Sequence, residues 1–160
     1  MAHGTSVRII YDQSFTGGRV MALITNIGAT DLTRANTGTP GTGTIDASIL
    51  ANATEDPSPR LSIEKISWNT SGPSNDKYFN VVFDAADNSN DVIAFPLGGS
   101  GNWGKSHTAG LDAAITNNAS GATGDVSIET VGFDDAADTI SVVLILKKES
   151  GYGNRTDYSG

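Results

Sequence analysis

In TISVVLILKK, residues 139–148, Ile140, Val142, Leu144 and Leu146 occupy alternate positions, with Val143 and Ile145 on the reverse. Apolar, β-branched residues on a two-residue period mark a strand, because successive side chains point to opposite faces. With both faces apolar, this strand is expected at the centre of its sheet, covered on both sides. The period recurs along the chain. RLSIEKISW aligns Leu61 with Ile63 and then changes phase to Ile66 and Trp68, as a β-bulge would. KYFNVVFD aligns Phe79, Val81 and Phe83; DVIAFPL aligns Ile93, Phe95 and Leu97; GDVSIETVGF aligns Val126 and Ile128. Near the start, VRIIYD places Val7, Ile9 and Tyr11 in phase, and GRVMALITNIG reads as a buried strand after a Gly-Gly turn.

Strands this short need frequent turns, and the composition supplies them. Gly, Ser and Thr make up 52 of the 160 residues. The expected fold is all-β: an antiparallel β-sandwich or jelly roll, with a long irregular N-terminal segment and a polar C-terminal arm. A single domain is expected, with N-terminal strands in 1–27, a Gly/Thr-rich loop or arm in 28–60, the main sandwich in 61–149 and the arm in 150–160. Within 28–60, TIDASILANA fits one short helix capped by Thr44 or Asp46.

Two acid clusters fall between strands, FDAADNSND at 83–91 and FDDAAD at 133–138. Calcium needs six or more converging oxygen ligands, and an EF-hand loop would add a central Gly and a Glu at its twelfth position. Neither is present. Asp and Asn bond nearby backbone in turns, so both clusters are read as hairpin connections, and no metal or cofactor is expected.

Catalytic patterns are equally sparse. His3 lies at the start, and His107 follows Ser106 directly, with no nucleophile elbow around a candidate serine. GSGNWG lacks the helix and Lys–Ser/Thr of a phosphate loop and reads as a loop. Glu55, Glu64 and Glu129 stand in plain turn or strand contexts, so no carboxylate pair for glycoside hydrolysis stands out. The chain is read as non-enzymatic. A net charge of −8 with ten scattered basic residues argues against nucleic-acid binding. No apolar run approaches the ~20 residues of a membrane span. MAHGTSVRII lacks the basic and apolar regions of a secretory signal, and no cysteine occurs.

Trp103, in LGGSGNWGKSHTAG, is read as a plug on the sandwich or an interface anchor, with a sugar-stacking platform (Asn102 beside it) third; Trp68 is read as core. The residues expected to touch neighbouring subunits are Leu32, Ile45, Ile49, Leu50, Trp103, Tyr152 and Tyr158. All but Trp103 are the anchors available to segments 28–60 and 150–160, otherwise too poor in apolar groups to offset the entropy of ordering.

Three pieces together resemble a known group: ISWNTSG, YFNVVFDAADNSNDVIAFPLGGSGNW and ASGATGDVSIETVGFDDAADTISVVLILKK. They are similar to small β-sandwich structural proteins of tailed bacteriophages, especially marine and cyanobacterial ones. There a Trp-ended strand precedes an Asp-turn hairpin, a Gly-rich loop follows, and a G-D hairpin runs into an apolar strand closing on Lys-Lys. The resemblance covers about Ser62 to Lys148. It implies a virion component assembled in the host cytoplasm and carried on the particle exterior, most like a capsid decoration (cement) protein. Its implied partners are the major capsid protein and copies of itself, as a trimer or other cyclic oligomer. The alternatives are a neck or tail subunit, or a carbohydrate-binding module that takes a surface glycan at Trp103.

Overall fold

A computed structural model describes residues 7–37, 39–55, 58–71, 76–104 and 115–154. Nine strands follow in order: β1 (Val7–Asp12), β2 (Arg19–Ile27), β3 (Thr44–Ile45), β4 (Arg60–Ser71), β5 (Tyr78–Ala85), β6 (Val92–Leu97), β7 (Ser100–Gly104), β8 (Ala122–Val131) and β9 (Thr139–Ser150). They form two antiparallel sheets, ordered β1-β2-β9-β4-β7 and β3-β8-β5-β6, packed over one core. The only helical turns among the described residues are two short 3-10 turns, Ala47–Ile49 and Asn88–Asn90. The first is capped by Asp46, whose side chain accepts from the Ser48 N–H at 2.9 Å.

The pairing has a simple generator. β2 pairs with β9, β3 with β8, β4 with β7 and β5 with β6, all antiparallel. The chain is therefore one long hairpin whose tip is the acidic turn between β5 and β6. Wrapping that ribbon puts alternate pairs into alternate sheets and brings β9 beside β4 and β8 beside β5. This is the jelly-roll arrangement, with β1 added beside β2.

Alternation builds much of the core as the sequence predicts, with departures in β1, β4, β6 and β9. In β1 a shift sets Ile9 opposite the buried Ala22 but Tyr11 opposite Met21, so the expected alignment of Val7, Ile9 and Tyr11 breaks at Tyr11. In β4 the register shifts between Ile63 and Lys65, so Leu61, Ile63 and Ile66 all reach the interior. In β6 a second shift sets Phe95 opposite Val81 but Ile93 opposite Val82. Val92, Phe95 and Leu97 pack on the core, while Ile93 is thrown outward, 49% exposed, against the expected alignment. In β9 the inner residues Ile140, Val142, Leu144 and Leu146 are buried, and the strand is central, between β2 and β4. Its reverse face is only half-covered: Val143 and Ile145 keep part of their surface in water. The sheet has one partner layer, not two.

Two connections differ from expectation. FDDAAD joins β8 of one sheet to β9 of the other, so it is a crossover between layers and not a hairpin. Its Asp138, fully buried, accepts the Asp134 and Asp135 backbone N–H groups at 2.8 and 2.9 Å. Burial works against its charge, but those two bonds and Lys77 hold its pKa below the ordinary value. GSGNWG, read as a loop, forms the edge strand β7 against β4.

Candidate interaction face

Segment 28–60 lies largely on its own domain. Leu32 donates its N–H to Thr130 Oγ1 at 2.7 Å and accepts the Thr130 N–H at 3.2 Å. Gly43 accepts the Ile128 N–H at 2.8 Å, extending the β8 edge. A side chain at Gly43 would collide with the Ile128 carbonyl, which explains the glycine. Between these points residues 33–37 and 39–42 turn back on themselves, with Asn36 and Thr39 bridged, and cross the outer face of the four-stranded sheet. Ala35 N–H reaches Ser127 Oγ at 3.2 Å, and Arg34 approaches Glu129 at 3.5 Å and Asp91 at 3.4 Å. Thr37 N–H donates to Asn88 Oδ1 at 2.8 Å, fastening the strap to the β5–β6 turn. Beneath it Val82 and Asp84 are buried. Burial raises the pKa of Asp84, although the Thr123 hydroxyl donates to it at 2.5 Å. Nearby Asp125 is pushed up to about 7, chiefly by burial, although it accepts the Ala47 N–H at 2.8 Å.

Nothing comparable crosses the outer face of the five-stranded sheet among the described residues. Register sets its side chains in rows. One row runs Tyr11, Met21, Ile145, Lys65; the next runs Arg8, Leu23, Val143, Ser67, Asn102; a third runs Thr25, Ser141, Asn69, Ser100. Met21, Val143 and Ile145, with Lys65 and Ser67, line a shallow hollow of about 230 Å³. It adjoins a trough of about 460 Å³ where Ser67, Asn69, Ser100, Asn102 and Ser141 offer hydroxyls and amides. At one end Arg19 pairs with Glu64 at 2.6 Å and Lys147 with Glu149 at 3.8 Å. Arg8 and Lys65 have no ion-pair partner among the described residues, so positive charge flanks this apolar patch on an acidic chain. The adjoining edge strand β1 adds Ile9, Ile10 and Tyr11, each about two-fifths to one-half exposed.

The residues singled out from sequence fall in different places. Leu32, Ile45, Leu50 and Tyr152 sit in the chain's own core, whereas Ile49 is 76% exposed. Trp103 lies opposite Ile66 on the inner side of β7, half-buried, its ring 5.3 Å from that of Phe95 and tilted against it. The indole is a plug, and Asn102 alone of that pair faces the trough. Trp68 also packs on the core, its indole N–H donating to the Gly98 carbonyl at 3.1 Å. Tyr158, His3, Ser106 and His107 lie outside the described residues. Among the described residues no three acidic, histidine or cysteine side chains converge as metal ligands. The outer face itself escaped the sequence reading, although the signal was there: Val143 and Ile145 on the reverse of β9 were read as covered.

Comparison with protein-family models finds no match, and neither do comparisons with curated proteins and with solved structures. The fold class rests on the strand order alone.

Proposed function

We propose that this chain is a non-enzymatic structural subunit of a bacteriophage particle, a decoration protein that docks on the capsid exterior through the outer face of its five-stranded sheet. The observation that carries the reading is the asymmetry of the two outer faces: one is covered by the chain's own strap, and the other presents an apolar hollow beside Arg8 and Lys65, which have no ion-pair partner among the described residues. A sheet face with exposed Met, Leu, Val, Ile and Tyr has surface to bury against a neighbour. Arg8 and Lys65 favour an acidic rim on the partner. The jelly roll recurs in viral capsid proteins, which supports the assignment as analogy only, since one fold hosts many functions. Leu32, Leu50 and Tyr152 are spent internally, so in this reading the arms stiffen the subunit and the sheet face makes the contact.

Mixing purified protein with shells lacking it, followed by sedimentation, tests this. Val143→Glu and Lys65→Glu, each checked for unchanged melting, should stay in the supernatant while wild type pellets with the shells. Binding by both variants at wild-type affinity would remove the reading. A second reading, a glycan-binding module, is favoured by the hydroxyl- and amide-lined trough; a glycan array with Asn102→Ala as control separates it from the first.

A further inference from the structure

Lys148 follows Leu144 and Leu146 in phase on β9, so alternation sends its side chain into the core, where it is fully buried. Its Nζ lies 2.5 Å from Asp12 Oδ1. It also donates to the Ala51 carbonyl at 2.8 Å and sits 4.4 Å from the centroid of the Tyr152 ring. Asp12 ends β1, and its Oδ2 accepts the Ala51 N–H at 2.6 Å. Oδ1 is buried, and despite the close lysine it makes no hydrogen bond of acceptable angle. The amine is therefore pressed against the carboxyl group without the alignment that an ordinary ion pair would take. The other carboxylates acting on the Tyr152 phenol are those of Asp125 and Asp46.

We propose that the folded chain joins Lys148 to Asp12 through an intramolecular isopeptide bond. The reaction needs no outside reagent. Transfer of one proton from Nζ to Oδ1 within the pair gives the neutral amine and neutral acid that the condensation consumes. The Nζ lone pair attacks Asp12 Cγ while the Ala51 N–H steadies the charge growing on Oδ2. The Ala51 carbonyl holds an N–H of the amine in place. Oδ1 then leaves as water, carrying the proton already transferred and one more from nitrogen, and the C–N bond remains. An ammonium and a carboxylate become an amide and one water, with no change in oxidation state. Held groups of this kind reach effective concentrations on the order of 10⁵–10⁸ M, which lets a sluggish condensation proceed in a fold. The ring of Tyr152 shields one side of the amine, and the partly exposed Asp12 side chain gives the water an exit. The product would tie the first strand to the last in a chain that has no cysteine for a disulfide. This inference stands on the Lys148 pocket alone and is independent of the docking face.

Intact mass under denaturing conditions decides it, with Lys148→Arg as the reference for any processing at the N-terminus. The wild-type chain should be lighter than its sequence by one water, while Lys148→Arg carries its full mass. Trypsin should release Ile9–Arg19 covalently joined to Lys148–Arg155 from the wild type. A wild-type chain of full mass, cut after Lys148 to give Glu149–Arg155 and a free Ile9–Arg19, would overturn the proposal.

Discussion

The two outer faces of this sandwich differ because of one stretch of chain. On the four-stranded sheet, residues 34–37 lie over Ser127 and Glu129 and fasten to Asn88, and the sheet residues below are buried down to Val82 and Asp84. On the five-stranded sheet the corresponding positions, Met21, Leu23, Val143 and Ile145, keep part of their surface in water. A sheet needs only one covered face to fold. Among the described residues the second face carries no such strap, and the proposed reading gives its apolar surface to a neighbour. On that reading, internal cover and external contact fall on opposite sides of one molecule.

The largest effect should come from the side both sheets share. Leu144 and Val143 are neighbours on β9, one wholly buried and one facing the bare side. Leu144→Ala should cost about 2–5 kcal/mol in urea unfolding, as core truncations do, and Val143→Ala less than about 1. Equal losses would mean that the outer face is covered in solution and would erase the contrast between the faces.

Next is the carboxyl of Asp125, beside the strapped layer. Its folded-state pKa is raised from the ordinary 3.8 to about 7, so between those values the native state keeps a proton that the unfolded chain has released. Stability from this group is full below that window and falls as pH rises through it. Asp125→Asn keeps an acceptor for the Ala47 N–H and removes the charge. It should flatten the decline and add about 2–4 kcal/mol at pH 8, scaled from ~1.4 kcal/mol per unit. Melting curves from pH 4 to pH 8 check this; a variant that tracks wild type throughout would show that Asp125 is charged at no cost.

A smaller effect compares the two outer faces directly. Val82 lies on the strapped side and Val143 on the bare side, each on a strand with neighbours on both flanks. Val82→Ala should lose about 1–3 kcal/mol and Val143→Ala less than about 1, because only the first leaves a cavity under cover. A Val82 loss no larger than that of Val143 would mean the strap lifts freely.

Much of the fold was legible because burial and alternation coincide. Phe79, Val81 and Phe83 line up, and the phase change from Ile63 to Ile66 marks the bulge that the register confirms. Ile93 misled because a one-residue shift in β6 reverses every side-chain direction beyond it. Strand β7 was hidden because its outer positions are small and polar and because Gly101 lies against the Trp68 ring, where a side chain would not fit. The burial of segment 28–60 was obscured for a different reason. Its anchors, Leu32, Ala35, Ile45 and Leu50, are spaced by loop geometry and carry no period. The Lys148 pocket was readable in part: phase alone places the lysine with Leu144 and Leu146 on the inner face of β9. What no pattern in this chain discloses is that Asp12, 136 positions earlier, meets it.

Because the chain has no cysteine, a single engineered one reports on a single face. Val143→Cys reports on the bare side and Thr37→Cys on the strap, each exposed to maleimide first in free protein and then in assembled particles. The account predicts that both react in the free protein and that only Val143→Cys is shielded on the particle. Shielding of Thr37→Cys with Val143→Cys still reactive would contradict it.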